Sequence, residues 1–360
     1  LIADQKEYIA SIAGLILNIT SYGAIILLVT YTQRYLTALA FNIVVEVLLN
    51  LWISWYVEKK YPFLHEMRKE KSSPHLTSRI MKDLKSLFIS RVSEKMLNGT
   101  DNLIISGFIG VATVGRYANY SMITQAIINI LTILANTIQP TIGDCFTEKN
   151  YRRNYEILRQ ITFVFFCISC VVAVGLFSLI TPFVRDIWLG PSYELGWGTA
   201  VLCIVVLMVK IMGLPLNMVM GVTGLFEKEK NVGASSAILN LVVSLALVKP
   251  YGMTGVLLGT LVSYLLQICY RYIIFFRDFL QMREEALRYA RDLGEYLVVM
   301  AAEVALMQKV VPIVYGNGGM VLFCICFLLC ILVPLALDAV FFGRGWRLQS
   351  IVRMVRGMRR

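Results

Sequence analysis

Six polar residues fall on one side of a helical repeat in the stretch FISRVSEKMLNGTDNLIISGFIGVATVGRYANY, which runs from Phe88 to Tyr120. They are Arg91, Glu94, Lys95, Asn98, Asp101 and Asn102, spaced i, i+3, i+4, i+7, i+10 and i+11. The other side carries Ile89, Val92, Met96, Leu103 and Ile104. Cations, acids and amides gathered in this way suit the binding of a polar, anionic ligand. The same spacing of Arg91, Glu94 and Lys95 also serves a structural ion-pair network.

The setting separates this helix from an amphipathic helix of a water-soluble domain. The chain has 360 residues, 58% of them hydrophobic and only 16% charged, with a mean hydropathy of +0.68. Soluble domains carry roughly 25% charged residues. Apolar runs of about 20 residues recur along the whole length, which predicts an all-α, polytopic transmembrane bundle. Ten spans are expected: Tyr8 to Val29, Tyr35 to Val57, Leu87 to Gly110, Tyr117 to Ile138, Ile161 to Val184, Trp197 to Met220, Val232 to Val248, Met253 to Phe276, Tyr296 to Val314 and Met320 to Phe342. Charge at membrane depth is expensive and normally faces a bundle interior or a wet cavity.

Other spans are polar on one side. Gln125, Asn129, Thr132, Asn136 and Gln139 recur along one face of the fourth. Asn42, Glu46 and Asn50 do so on the second, Asn231, Ser235 and Asn240 lie on the seventh, and Lys210 sits deep in the sixth before Gly213 and Pro215. Amides alone often serve as links between helices. Glu46, Arg91, Glu94, Lys95, Asp101, Lys210 and Glu303 together exceed that role and predict a charged central cavity. The fifth span, ITFVFFCISCVVAVGLFSLITPFV, has no charge and is expected to face lipid.

Lysine and arginine placement sets the expected orientation. The even connections hold Lys59 to Lys85, Lys149 to Arg159, Lys228 and Lys230, Arg277 to Arg291, and Arg344 to Arg360. The alternate connections hold only Arg34, Arg116, Arg185, Lys249 and Lys309, so the even connections and both termini are expected in the cytoplasm. The net charge of +11 is therefore topological and calls for no nucleic acid. The tail RGWRLQSIVRMVRGMRR suits anionic lipid or a plain positive-inside anchor. Leu1 opens the chain without a basic leader, so no cleavable signal peptide is expected.

Several chemistries lack their residues. No GxxxxGK[ST] loop is present, so no built-in ATP motor is expected, and no cofactor motif occurs. His65 and His75 both lie in the long second connection, and no His/Cys/carboxylate cluster suggests a metal. The eight cysteines (145, 167, 170, 203, 269, 324, 326 and 330) sit mostly in apolar runs. Cys167 and Cys170 have redox-pair spacing, but Phe165, Phe166, Ile168 and Val171 around them favour small apolar packing. The alternate connections are short, the longest running from Pro182 to Gly196, which leaves an extracellular polymerase or ligase little room and disfavours an enzyme.

The segments ADQKEYIASI, KKYPFL, NGTDNLIISGFIGVATVGRYANYSMI, NTIQPTIGD, GVTGLFEKEKN and YGMTGVLLGTLVSY resemble bacterial polysaccharide flippases. These are members of the multidrug/oligosaccharidyl-lipid/polysaccharide (MOP) exporter superfamily, and the resemblance spans Ala3 to about Tyr272. It implies a two-lobed transporter of which this chain lacks about the first four helices. Residues 1–57 would then be the last pair of the N-terminal lobe, 58–86 the interlobe connection and 87–277 the C-terminal six-helix lobe. Residues 278–342 would be two additional helices and 343–360 a basic tail.

The resemblance also implies translocation of an undecaprenyl-diphosphate-linked oligosaccharide across the bacterial cytoplasmic membrane by alternating access. Lipopolysaccharide or O-antigen export, membrane lipids, and a polysaccharide polymerase or chain-length regulator as partner belong to that expectation. Under it, Arg91, Lys95 and Lys210 meet the diphosphate, while Asn98, Asn102, Asn129, Asn136 and Gln139 bond sugar hydroxyls. Glu46, Glu94 and Asp101 pair those cations at rest or carry a coupling proton or sodium. A multidrug exporter of the same superfamily and a non-transporting assembly partner are the alternatives. The first would have an acidic, aromatic cavity, and the second has no use for cations at membrane depth.

The orientation has a direct check. In a background without native cysteines, single cysteines at positions 72, 192 and 350 should react with an impermeant thiol reagent in intact cells only at 192. Labelling at 72 would reverse the topology.

Overall fold

The computed structural model describes residues 7–61, 74–146, 150–223, 225–316 and 318–343. Nine α-helices form among them: α1 (Glu7–Thr32), α2 (Tyr35–Lys60), α3 (Pro74–Phe108), α4 (Val111–Phe146), α5 (Tyr151–Pro182), α6 (Trp197–Val222), α7 (Phe226–Ile274), α8 (Arg283–Tyr315) and α9 (Met320–Phe342). Single π-helical turns follow α5 (Phe183–Trp188) and α7 (Phe275–Leu280). In hydrocarbon every backbone N–H and C=O needs a partner within the protein, which a helix supplies along its own length.

α7 is two helices. Its backbone breaks at Gly252, where φ is +58°, just after Pro250, a residue that cannot donate to the helical ladder. Asn240 Nδ2 donates to Thr260 Oγ1 at 2.9 Å, and Ser244 Oγ donates to the Val256 carbonyl at 3.2 Å. The numbering falls on one limb as it rises on the other, so residues 226–251 and 253–274 form an antiparallel hairpin. The limbs approach closely because Gly255 sits against the Leu247 carbonyl and Gly259 against Ser244. This is small-residue packing, which replaces the hydrophobic effect as the force between helices in lipid.

With α7 divided at Gly252, helix underlies each of the ten expected spans. Among the described residues, seven helices are long and apolar enough to cross a membrane, the α7 hairpin counting as one. Among the described residues α1 adds a shorter apolar stretch, Ile19–Thr32. α3 starts at Pro74, well before the boundary expected at Leu87, because its first turns are polar and carry no hydropathy signal. The connection bearing His65 and the tail from Arg344 lie outside the described residues.

The chain divides into two compact units, Leu1–Met81 and Lys82–Arg360. In the first, α1 and α2 pack together, and buried Ser21 donates to Asn42 Oδ1 at 3.2 Å. In the second, α5 and α6 are central: α6 packs on α4, α5 and α7, and α5 also receives α8 and α9.

The place of α5 corrects the sequence expectation that it faces lipid. Phe163, Phe165, Phe166, Cys170, Ala173 and Val174 are all buried, covered by α6, α8 and α9. An apolar surface is equally at home against lipid or against another helix, so lack of charge does not separate the two. Its ends are fastened by polar bonds. Arg159 Nε donates to Asp292 of α8 at 2.6 Å, and Thr162 meets the Tyr289 hydroxyl at 3.0 Å. At the opposite end the Tyr315 hydroxyl donates to Asp186 at 3.1 Å.

The hairpin's glycines give a prediction. Gly255→Val should lower folded yield and thermal stability by about 1–3 kcal/mol, the usual cost of overpacking. Gly294→Ala, where an added methyl meets nothing within 4 Å, should leave both unchanged. Equal stability of the two variants in detergent would mean that the limbs do not pack as described.

Candidate functional site

α3, α4, α6 and the second limb of α7 enclose a cavity of about 470 Å³. This lies within the roughly 300–1,000 Å³ of small-molecule sites. Its polar wall comprises Asp101 and Asn102 from α3, Gln125 and Asn129 from α4, Lys210 from α6 and Thr260 from α7. Ser121 and Thr124 add hydroxyls, and Leu97, Ile128, Val206, Leu207 and Leu257 supply the apolar part.

Asp101 is the fixed point of this wall. It is only 5% exposed, and Thr260 Oγ1 donates to its carboxylate at 2.9 Å. Thr260 in turn accepts from Asn240, whose Oδ1 accepts from Thr100 Oγ1 at 3.2 Å. The network therefore ties α3 to both limbs of the α7 hairpin. A carboxylate at this depth keeps its place through such bonds, since water cannot supply them.

Lys210 is half-buried, and its ammonium lies 4.6 Å from the Tyr264 ring centroid, a cation–π contact. It is close enough to Asp101 for an electrostatic attraction across the cavity. On α4, Gln125 Nε2 donates to Asn129 Oδ1 at 2.8 Å, leaving the remaining amide groups of both residues to face the cavity. Among its described lining residues, one acid and one base therefore stand amid amides and hydroxyls. Such a wall can hydrogen-bond a sugar and set one mobile cation against an anion.

The structure brings together five residues singled out in the sequence, Asp101, Asn102, Gln125, Asn129 and Lys210. Lys95 and Asn136 are exposed and do not line this cavity. Gln139 is half-buried, with its amide against Gly221 of α6, and acts there as a helix contact. Glu46 is exposed on α2 of the first unit, where its carbonyl accepts from Asn50 at 2.9 Å. The side chains of Arg91, Glu94 and Asn98 lie outside the described residues, although their backbone is helical.

Thr260, Tyr264, Ser121 and Thr124 were not singled out. A lone hydroxyl in an apolar run gives no sequence signal, and Thr260 gains its role from a partner 159 positions away. A second cavity of about 410 Å³ is almost wholly apolar, lined by Ile127, Val172, Leu176, Phe183, Phe323 and Phe327 among others.

Residues 6–146 match a family described as "Polysaccharide biosynthesis protein". No match is found among curated proteins. Among solved structures the chain is similar to "Lipid II flippase MurJ, inward closed conformation". The TM-score is 0.53 at 15% identity, over 93% of this chain and 67% of that one. The fold is thus similar to that of this solved flippase, and the family match over residues 6–146 agrees with the resemblance to polysaccharide flippases read from the sequence.

The Asp101 network predicts a stability difference. Asp101→Ala removes the bond from Thr260 to α3 and leaves that hydroxyl only its 3.3 Å contact with the Val256 carbonyl of its own helix, a loss of about 1–3 kcal/mol for a bond to a charged group. Asp101→Asn keeps an acceptor oxygen and should unfold close to the parent. Indistinguishable melting of the alanine variant and the parent would show that this bond does not hold α3 to α7.

Proposed function

We propose that the chain is part of a flippase that moves an undecaprenyl-diphosphate-linked oligosaccharide repeat from the inner to the outer leaflet of a bacterial cytoplasmic membrane for polysaccharide export. The observation that carries this reading is the polar, amide-lined cavity of Asp101, Asn129 and Lys210 within a flippase fold. A glycan and a diphosphate cannot cross hydrocarbon unaided, whereas a prenyl tail is at home in it. The polar cavity suits the first part, and the apolar cavity beside α9 suits the second.

In this reading Lys210, with Arg91 and Lys95 further along α3, meets the diphosphate. Asn102, Gln125 and Asn129 exchange hydrogen bonds with sugar hydroxyls, while Asn98, Asn136 and Gln139 lie along the same two helices for a longer glycan. Amides and hydroxyls here favour a sugar over the aromatic cations of a multidrug exporter. Asp101, bonded through Thr260 to Asn240, is the coupling group: a carboxylate amid side-chain oxygens suits a sodium ion or a proton. Glu94 and Glu46 are the further acids of this scheme.

The lobe assignment, 1–57 and 87–277 around the connection 58–86, with 278–342 added and 343–360 as a basic tail, supports alternating access of this kind. Cytoplasmic termini follow from the lysine and arginine bias, and a polymerase would be the natural consumer of the product.

Losing one charge-assisted bond of about 1.5–3 kcal/mol weakens binding roughly tenfold or more. Lys210→Gln should therefore lower translocation of a labelled lipid-linked oligosaccharide about tenfold at unchanged membrane abundance, and Arg91→Ala similarly. Asp101→Asn should remove the dependence on an imposed ion gradient. Normal translocation by Lys210→Gln at normal abundance would remove this cavity from the path.

A further inference from the structure

The junction of α5, α8 and α9 holds a group of side chains that transport does not use. Glu303 of α8 and Asp338 of α9 are 2% and 4% exposed, and Cys170 of α5 is fully buried. The Cys170 sulfur and one oxygen from each carboxylate lie within 4.8 Å of one another. Among the described residues no N–H or hydroxyl donates to any of the four carboxylate oxygens, and the thiols of Cys170 and Cys167 lie against Glu303 and Asp338. The other buried acids differ, because Asp101 has Thr260 and Asp292 has Arg159.

Two adjacent carboxylates in a dry interior repel each other and have lost their water. A bound dication would remove both defects at once. The donors decide its class. Thiol sulfur with two carboxylate oxygens suits a borderline ion in tetrahedral coordination, with bonds of about 2.3 Å to sulfur and 2.0–2.2 Å to oxygen. Magnesium and calcium require six or more oxygens, and the surroundings offer few. Phe166 and Tyr296 stack at 4.3 Å nearby, and Ser169 is engaged with the sulfurs of Met208 and Met300.

We propose that Cys170, Glu303 and Asp338 bind a divalent metal ion of the zinc class, with Cys167 one helical turn away as the fourth donor. Small side-chain closures bring the donors to bonding distance. The ion joins three helices and clamps the α8–α9 pair onto α5, midway between the Arg159–Asp292 and Asp186–Tyr315 fastenings.

The test uses the whole chain purified in detergent, stripped with chelator, incubated with zinc and desalted. Metal content should be one zinc per chain, and at least tenfold lower in the double variant Glu303→Gln, Asp338→Asn. Those amides keep the shape without the charge, and abundance and elution volume verify folding. The comparison also discounts zinc held by surface groups such as exposed Cys269 and Cys324. With cobalt in place of zinc, the parent should show thiolate-to-metal charge-transfer absorption that weakens in Cys170→Ser. No more zinc in the parent than in the double variant would overturn the proposal, and is the result expected if the carboxyls merely share a proton. A cobalt spectrum without thiolate character in the parent would overturn it equally, even if the double variant failed to fold.

Discussion

The bond from Thr260 to the buried carboxylate of Asp101 is where the two demands on this protein meet. A polar cavity must exist at membrane depth, yet each polar group lining it must be held without help from water. Asp101 solves this by bonding to a helix hairpin instead of a single helix. Gly255 and Gly259 allow the limbs of α7 to approach, Asn240 then reaches Thr260, and Thr260 reaches α3. Remove the close approach and the carboxylate loses its support, the cavity its fixed wall.

The second unit is polar and apolar in different places, and α6 serves both. On one side Lys210 faces Asp101 and the α4 amides. Ile204, Leu207 and Ile211 of the same helix belong to the main hydrophobic core with Phe166 and Tyr120. α5 lies beyond it, sealed by α8 and α9 and tied at its ends by the Arg159–Asp292 pair and the Asp186–Tyr315 bond. α5 with its covering helices thus forms an apolar block behind the polar cavity.

Much of this was legible in the sequence because membrane helices announce themselves by length and hydropathy. Each expected span contains helix, and helical spacing was enough to group Asp101 with Asn102 and to single out Asn129 and Lys210. The sequence could not reveal which helices cover one another. For α5 the sequence points to lipid, because nothing in Phe163 to Val174 distinguishes a lipid tail from a neighbouring helix. Thr260 and Asp338 carry no such signal for a related reason: their importance comes from residues far away in the chain, whereas Asn240, on the polar side of its span, links helices as its amide suggests. The sequence neighbours of Cys167 and Cys170 suggest apolar packing, whereas in space the two cysteines lie beside Glu303 and Asp338.

The central claim is that the cavity between α3, α4 and α6 carries the head group of a lipid-linked substrate. A photoactivatable cross-linking residue placed at Asn129, inside that cavity, tests it directly in membranes containing lipid-linked oligosaccharide. Irradiation should give an adduct at 129 that an excess of unlabelled substrate suppresses, and none from the exposed position Val340 of α9. Absence of any substrate adduct at 129, with adducts forming at 340, would contradict the account.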